Sequence, residues 1–222
     1  VDGIQHAAHG LLDIKSYDID GYVISPYKMF SRHGYGVAWV SDRLTSLVHE
    51  QLINGPSKAW EFGTRDTGSY ATMSNVVSYL DWLGTEVSGT EGSEKNDRRK
   101  RLVYAGQAIK AHEQVLINTM LYGRDNLKGL SELDGVDIVG GVDNPLREGL
   151  VSLRLRGMAS SDLVNALRDH NIRAHVRKDD HYSGNILTPL GWTDCVRISL
   201  CHYNTTAEVR SLLSALAKIL KQ

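Results

Sequence analysis

The sequence predicts an α/β protein in which the closing part of a sheet-based domain is followed by a smaller α+β C-terminal domain. Three observations predict it. Residues 19–25 (Ile-Asp-Gly-Tyr-Val-Ile-Ser) form a short, mostly apolar run bounded by polar residues, the pattern of a buried strand in a parallel sheet. Leu102, Ala105, Ile109, His112, Leu116 and Met120 recur at spacings of three or four, which predicts a long helix leading out of the first domain. Residues 195–201 alternate, with Val196, Ile198 and Leu200 on one face and Cys195, Arg197, Ser199 and Cys201 on the other.

The first strand ends in Pro26-Tyr27-Lys28, on the loop at its C-terminal edge, where open α/β sheets bind ligands. Residues 34–40 read as a second strand, and Ser41 is placed to cap a helix running to about Leu52. Tyr70, Met73, Val77, Leu80 and Leu83 have helical spacing, and Gly84 is the expected stop. Residues 86–97, rich in Gly, Ser, Thr and charge, read as a linker. The expected division is 1–90 for the first domain, 91–123 for the connecting helix and 124–222 for the small domain. Within the last, strands are expected at 136–140, 149–157 and 172–177, and a helix at 161–170 carrying Leu163 and Leu167. Thr205-Thr206-Ala207-Glu208 is a capping box for a final helix with the stripe Val209, Leu212, Leu213, Leu216 and Leu220.

Composition is that of a globular protein: 222 residues, 41% hydrophobic and 23% charged. A formal net charge of −1 gives no electrostatic reason to expect nucleic acid or an anionic membrane as partner. The basic cluster Arg98-Arg99-Lys100-Arg101 reads as a solvated helix face. No apolar run approaches the roughly 20 residues of a membrane span, and no signal peptide is visible. With two cysteines, Cys195 and Cys201, a disulfide framework is not expected, and a cytoplasmic, reducing home is. The opening Val1-Asp2-Gly3 reads as a chain entered in mid-fold, so an incomplete N-terminus is expected.

Chemistry concentrates at two neighbouring strand ends. Asp2 and Gln5 open the chain, and Ser25-Pro26-Tyr27-Lys28 follows one strand later. A lysine that forms an imine must be unprotonated part of the time. A pyridoxal ring also needs a carboxylate at its nitrogen to act as an electron sink. An Asp and a Lys on one rim of a sheet could serve both ends of such a ring, although a lone Lys after a strand is more often a surface residue.

Asp2-Gly3-Ile4-Gln5, then Asp13, then Ser25-Pro26-Tyr27-Lys28, resembles the D-x-x-Q…S-x-[HY]-K signature of class V aminotransferases. Trp60-Glu61-Phe62-Gly63-Thr64 is similar to that family's [FW]-E-x-G-T segment. Arg197-Ile198-Ser199, then His202-Tyr203-Asn204-Thr205 and Glu208, is similar to its ending. The resemblance implies the type I aminotransferase fold cut at its middle: the second half of the large domain plus the small domain. It implies pyridoxal 5'-phosphate as cofactor, with Lys28 as the Schiff-base lysine and proton shuttle. Asp2 would pair with the ring nitrogen, Gln5 with the ring hydroxyl and Ser25 with the phosphate. Tyr27 stands where many members have His. Thr64 would reach the phosphate held by the other subunit, implying a homodimer with shared sites. Arg197 would clamp the carboxylate of an amino-acid substrate.

The departures from the family are informative. Where the desulfurases of the family carry a nucleophilic Cys, counting back from Gly191 and Arg197, this sequence has Tyr182 beside His181. That His181-Tyr182 pair resembles desulfurase-like members without the persulfide cysteine. Cys195 and Cys201 match neither place and read as small buried thiols. Carbon–sulfur bond cleavage of an amino acid is therefore the expected activity, with transamination or epimerisation as the alternative. A non-catalytic dimerising or binding module is the alternative of another kind. Ser25-x-x-Lys28 also spells a serine-acylase motif, but its S-D-N and K-T-G partners are absent from the sequence. His6 and His9 have no Glu between them and no third ligand in the sequence pattern and read as ordinary packing or solvation, so no metal site is expected.

Overall fold

A computed structural model describes residues 1–56, 59–63, 66–89 and 97–221. The chain forms two compact units, Val1–Lys110 and Ala111–Gln222.

In the first unit, β1 (Gly21–Ile24) pairs antiparallel with β2 (Val37–Val40), in the register Tyr22↔Trp39 and Val23↔Ala38. The parallel-sheet strand expected at 19–25 is thus present, but its described ladder is antiparallel. The parallel element is the bridge Asp2↔Val23, where Val23 N–H donates to Val1 O (3.1 Å) and Gly3 N–H to Val23 O (2.9 Å).

Ser41 caps its helix as expected, its Oγ accepting from Leu44 N–H, but α1 is only Asp42–Thr45 and does not reach Leu52. Two causes are visible. Thr45 and Ser46 turn their hydroxyls back onto Asp42 O and Arg43 O, competing with the helical pattern. The apolar residues that would continue the helix, Leu47, Val48, Leu52 and Ile53, are exposed and have no packed surface to drive it.

Helix α2 spans Thr67–Ser88, capped by the Asp66 carboxylate on Ser69 N–H and Ser69 Oγ, and ends at Gly89 in the left-handed conformation. The expected stop at Gly84 is overturned. A Cβ at Gly84 would lie 1.9 Å from the carbonyl oxygen of Arg101, so this glycine permits a close helix–helix approach. The partner helix, α3 (Arg98–Tyr122), lies alongside, and Arg101 donates to Asp81 of α2 through Nε (2.6 Å) and Nη2 (3.1 Å). That pairing holds the Asp81 carboxyl below its usual range. Of the expected 86–97 linker, Glu86–Ser88 are helical, and 90–96 lie outside the described residues. Tyr22, Ile24, Met29, Ala7 and Val76 make the small buried cluster of this unit.

In the second unit, the antiparallel sheet runs β3–β4–β6–β5: β3 (Val136–Ile138), β4 (Leu150–Leu155), β5 (His175–Lys178) and β6 (Asp194–Ser199). Period-2 patterning buries Val151, Leu153 and Leu155 of β4 with Val196 and Ile198 of β6. Helix α4 (Ser160–Asp169) adds Leu163 and Leu167 to that core. A short α5 (Gly184–Leu187) follows β5. Helix α6 (Thr206–Ile219) adds Val209, Leu212, Leu213 and Leu216, and the Thr205/Glu208 capping box is formed in both directions.

Candidate active site

In the first unit the candidate residues cluster because two chain segments end side by side. The bridge at Val23 aligns residues 1–3 with β1, so Asp2 and Gln5 emerge next to the segment carrying Lys28. Lys28 lies in a 3-10 turn, Pro26–Met29, with Pro26 supplying the φ that starts it and Ser25 O accepting Lys28 N–H at 3.0 Å. This turn packs against a second 3-10 turn, His6–Ala8, which follows Gln5 directly. Ala7 of one and Met29 of the other share the buried cluster. Asp2 and Gln5 are exposed, while Ser25 and Lys28 are half-buried. Asp2 Oδ1 accepts Ile4 N–H at 2.9 Å, and its second oxygen takes no donor among the described residues. Tyr27 stacks on His33 at 3.9 Å and 18°, with Lys28 Nζ 5.7 Å from its ring centre. Trp60 stacks on His49 at 4.9 Å and Phe62 is exposed. Thr64 lies outside the described residues.

The second unit presents a polar sheet face. Arg197 of β6 stands between Ser152 of β4 and His175 of β5, and Arg177 is opposite Cys195 one ladder step away. Cross-strand partners share a face, so His175, Arg177 and Arg197 project together. Burial first, and then the Arg197 and Arg177 guanidiniums, hold the His175 imidazole below its usual range. Arg177 and His175 were not singled out from sequence; the signal was their spacing of two in a run expected to be a strand. On the adjoining stretch of the same face, Arg154 lies 4.4 Å above the Trp192 ring and pairs with Asp137 at 3.1 Å.

His181 and Tyr182 sit on the exposed loop after β5, their rings 3.9 Å apart. Asp180 Oδ1 shapes that loop by accepting the N–H groups of Tyr182 (3.0 Å) and Ser183 (3.3 Å), and the first of these bonds does most to lower the Asp180 pKa. Arg177 donates from Nε to Ser183 Oγ at 2.9 Å and lies 5.8 Å from the Tyr182 ring centre. The structure therefore ties the His181–Tyr182 loop to the arginine-bearing face.

Both cysteines are free. Burial raises the pKa of the Cys195 thiol, which is on β6 and not on the loop. Burial, and then the Glu113 carboxylate, raises that of Cys201. Neither environment favours the thiolate that a sulfur nucleophile requires.

The family model of class-V aminotransferases matches residues 1–212. A cysteine desulfurase of Synechococcus elongatus is 25% identical over 234 residues, covering 99% of this chain and 32% of that protein. The solved apo structure of a cysteine desulfurase from Thermococcus onnurineus superposes with a TM-score of 0.75 at 20% identity, over 99% of this chain and 52% of that one. A solved C-DES variant with glycine covalently linked to its PLP cofactor gives a TM-score of 0.62 at 16% identity, over 96% of this chain and 49% of that one. The chain thus spans about a third to a half of the length of the proteins it matches. Its fold is the corresponding part of the type I pyridoxal-phosphate fold of these desulfurases. With a match that runs from the first residue to the middle of the final helix, the chain belongs to the class-V aminotransferase family.

Proposed function

We infer that the whole protein is a pyridoxal 5'-phosphate enzyme that cleaves a carbon–sulfur bond of an amino acid without a persulfide cysteine. The observation that supports the reading is the bridge that sets the segment bearing Asp2 and Gln5 beside the strand leading into Ser25 and Lys28, together with the packing of the two turns that follow them. The residues fit the cofactor chemically: an amine for its aldehyde, a carboxylate with a free acceptor edge for its ring nitrogen, and a hydroxyl for its phosphate. When bound, that cofactor supplies an electron sink for charge developing at the substrate α-carbon.

In this reading Lys28 binds the cofactor aldehyde and, once released, moves the proton at the α-carbon. Asp2 holds the proton on the ring nitrogen, Gln5 orients the ring through its hydroxyl, and Ser25 donates to the phosphate. Tyr27, held by its stack on His33, flanks Lys28. Arg197 binds the substrate carboxylate through its planar fork. His181 and Tyr182 border the substrate from the loop tied to Arg177. Thr64 contributes to the site of a second subunit, giving a homodimer with shared sites. The two free thiols suit a reducing cytoplasm, and no described helix is long and apolar enough to cross a membrane.

Replacing both Cys195 and Cys201 by Ser in the full-length protein tests the chemistry. Sulfur release from cysteine-type substrates should stay near the wild-type rate. Loss of turnover with fold and bound cofactor unchanged would contradict a mechanism without a thiol nucleophile.

A further inference from the structure

Tyr22, the second residue of β1, is buried, and none of the roles above uses it. Its hydroxyl shares a 2.7 Å hydrogen bond with His6 Nδ1, and the two rings meet edge to face at 6.2 Å. The same ring is covered by the backbone of Gly3, where an added Cβ would lie 2.1 Å from ring atom Cζ. Only glycine can lie that close to the ring. Gly3 is also fixed along the chain, its N–H donating to Val23 O (2.9 Å) and its carbonyl accepting Ala7 N–H (3.0 Å). One buried side chain therefore grips the segment at two points, residue 3 through van der Waals contact and residue 6 through the phenol. Between and beside these points stand Gln5 and Asp2, both exposed.

We propose that Tyr22, together with His6, is a positioning residue for the Asp2 carboxylate, setting where it meets the cofactor's ring nitrogen. The proposal rests on the cofactor reading above. The Gly3–ring contact fixes how far the segment stands from β1, and the His6–phenol bond fixes its rotation. The Ile4 N–H bond to Asp2 Oδ1 then transmits that orientation to the carboxylate. A carboxylate pairs well with a ring N–H over a narrow range of distance and angle, so small errors in the segment weaken the pairing.

The test uses the full-length protein as wild type, Tyr22→Phe, Gly3→Ala and Asp2→Asn. It measures pyridoxal-phosphate affinity, the pH midpoint of the bound cofactor's visible absorbance, and Tm. Tyr22→Phe keeps the ring and loses the phenol, and should weaken cofactor binding about 2- to 10-fold, the range for one hydrogen bond. It should also move the absorbance midpoint in the same direction as Asp2→Asn. Gly3→Ala should act in that direction more strongly; where it does not fold, Tyr22→Phe decides. A Tyr22→Phe protein with the wild-type midpoint, whatever its Tm, while Asp2→Asn shifts it, would overturn the positioning role and leave the cofactor reading standing. If Asp2→Asn also changes neither affinity nor midpoint, the cofactor reading fails, and the positioning role with it.

Discussion

The two units hold their candidate residues by different means. Arg197 sits inside a four-stranded sheet, with Ser152 and His175 in register on either side and the leucines of α4 and α6 packed behind the strand. Lys28 sits on a turn beyond a two-stranded ladder and Asp2 on a single bridge beside that ladder's first strand, supported by a far smaller buried cluster. In the second unit the packed sheet fixes a side chain's direction. In the first, local devices do so: a proline-started turn, a strand bridge at Val23 and a glycine lying on a tyrosine ring. Large apolar side chains stay exposed in the first unit, Val48 and Ile53 at above 90%. Its conformation is correspondingly governed more by turns and caps than by burial.

If this contrast is right, the largest effect should come from the second unit's core. Leu163 is 1% exposed, and Leu163→Ala should cost about 2–5 kcal/mol in a denaturant titration. A loss below about 1 kcal/mol would mean that the sheet is not backed as described. Arg197→Lys comes next. It keeps the charge but loses the fork, and should weaken substrate binding by roughly 10- to 100-fold with cofactor affinity unchanged. Equal substrate affinities would make Arg197 a structural residue.

Loss of the α6 cap should be smaller. Thr205→Ala should cost about 1 kcal/mol. The Glu208 carboxyl is held below its ordinary value first by Thr205 N–H and then by the Thr205 hydroxyl. Because its folded-state pKa is depressed, that stabilisation is full above the usual carboxylate range and is lost as pH falls through the folded value. Acid titrations of Tm should therefore be shallower in Glu208→Gln than in wild type. Identical curves would show that the cap carries no charge-dependent part. The smallest effect belongs to the first unit: Val48→Ala should change stability by less than about 0.5 kcal/mol, and a core-sized loss would show that Val48 is covered.

Legibility follows the same division. In the second unit the alternation of 195–201, the stripe of α6 and its capping box were readable, because one buried face forces a regular period. Cys195, on the polar side of that alternation, is nonetheless buried, with Arg177 of β5 opposite it and the Ser152 side chain of β4 hydrogen-bonded to it. In the first unit the helix expected from Ser41 to Leu52 stops at Thr45, because capping chemistry starts a helix but packing sustains it. Gly84 gave a stop signal that the approach of α3 reverses, a long-range contact invisible in a local window. The motif residues around Lys28 were readable through their family resemblance. The grip of Tyr22 on Gly3 and His6 was not, since it joins residues 16 to 19 positions apart without a periodic pattern.

The roles proposed for Asp2, Gln5 and Ser25 all require Lys28 to carry the cofactor. Borohydride reduction of the full-length protein loaded with pyridoxal phosphate, followed by peptide mapping, tests it most directly. The label should be found on the peptide containing Lys28, and Lys28→Ala should remove it. A label on any other lysine, retained in Lys28→Ala, would show that Lys28 does not carry the cofactor.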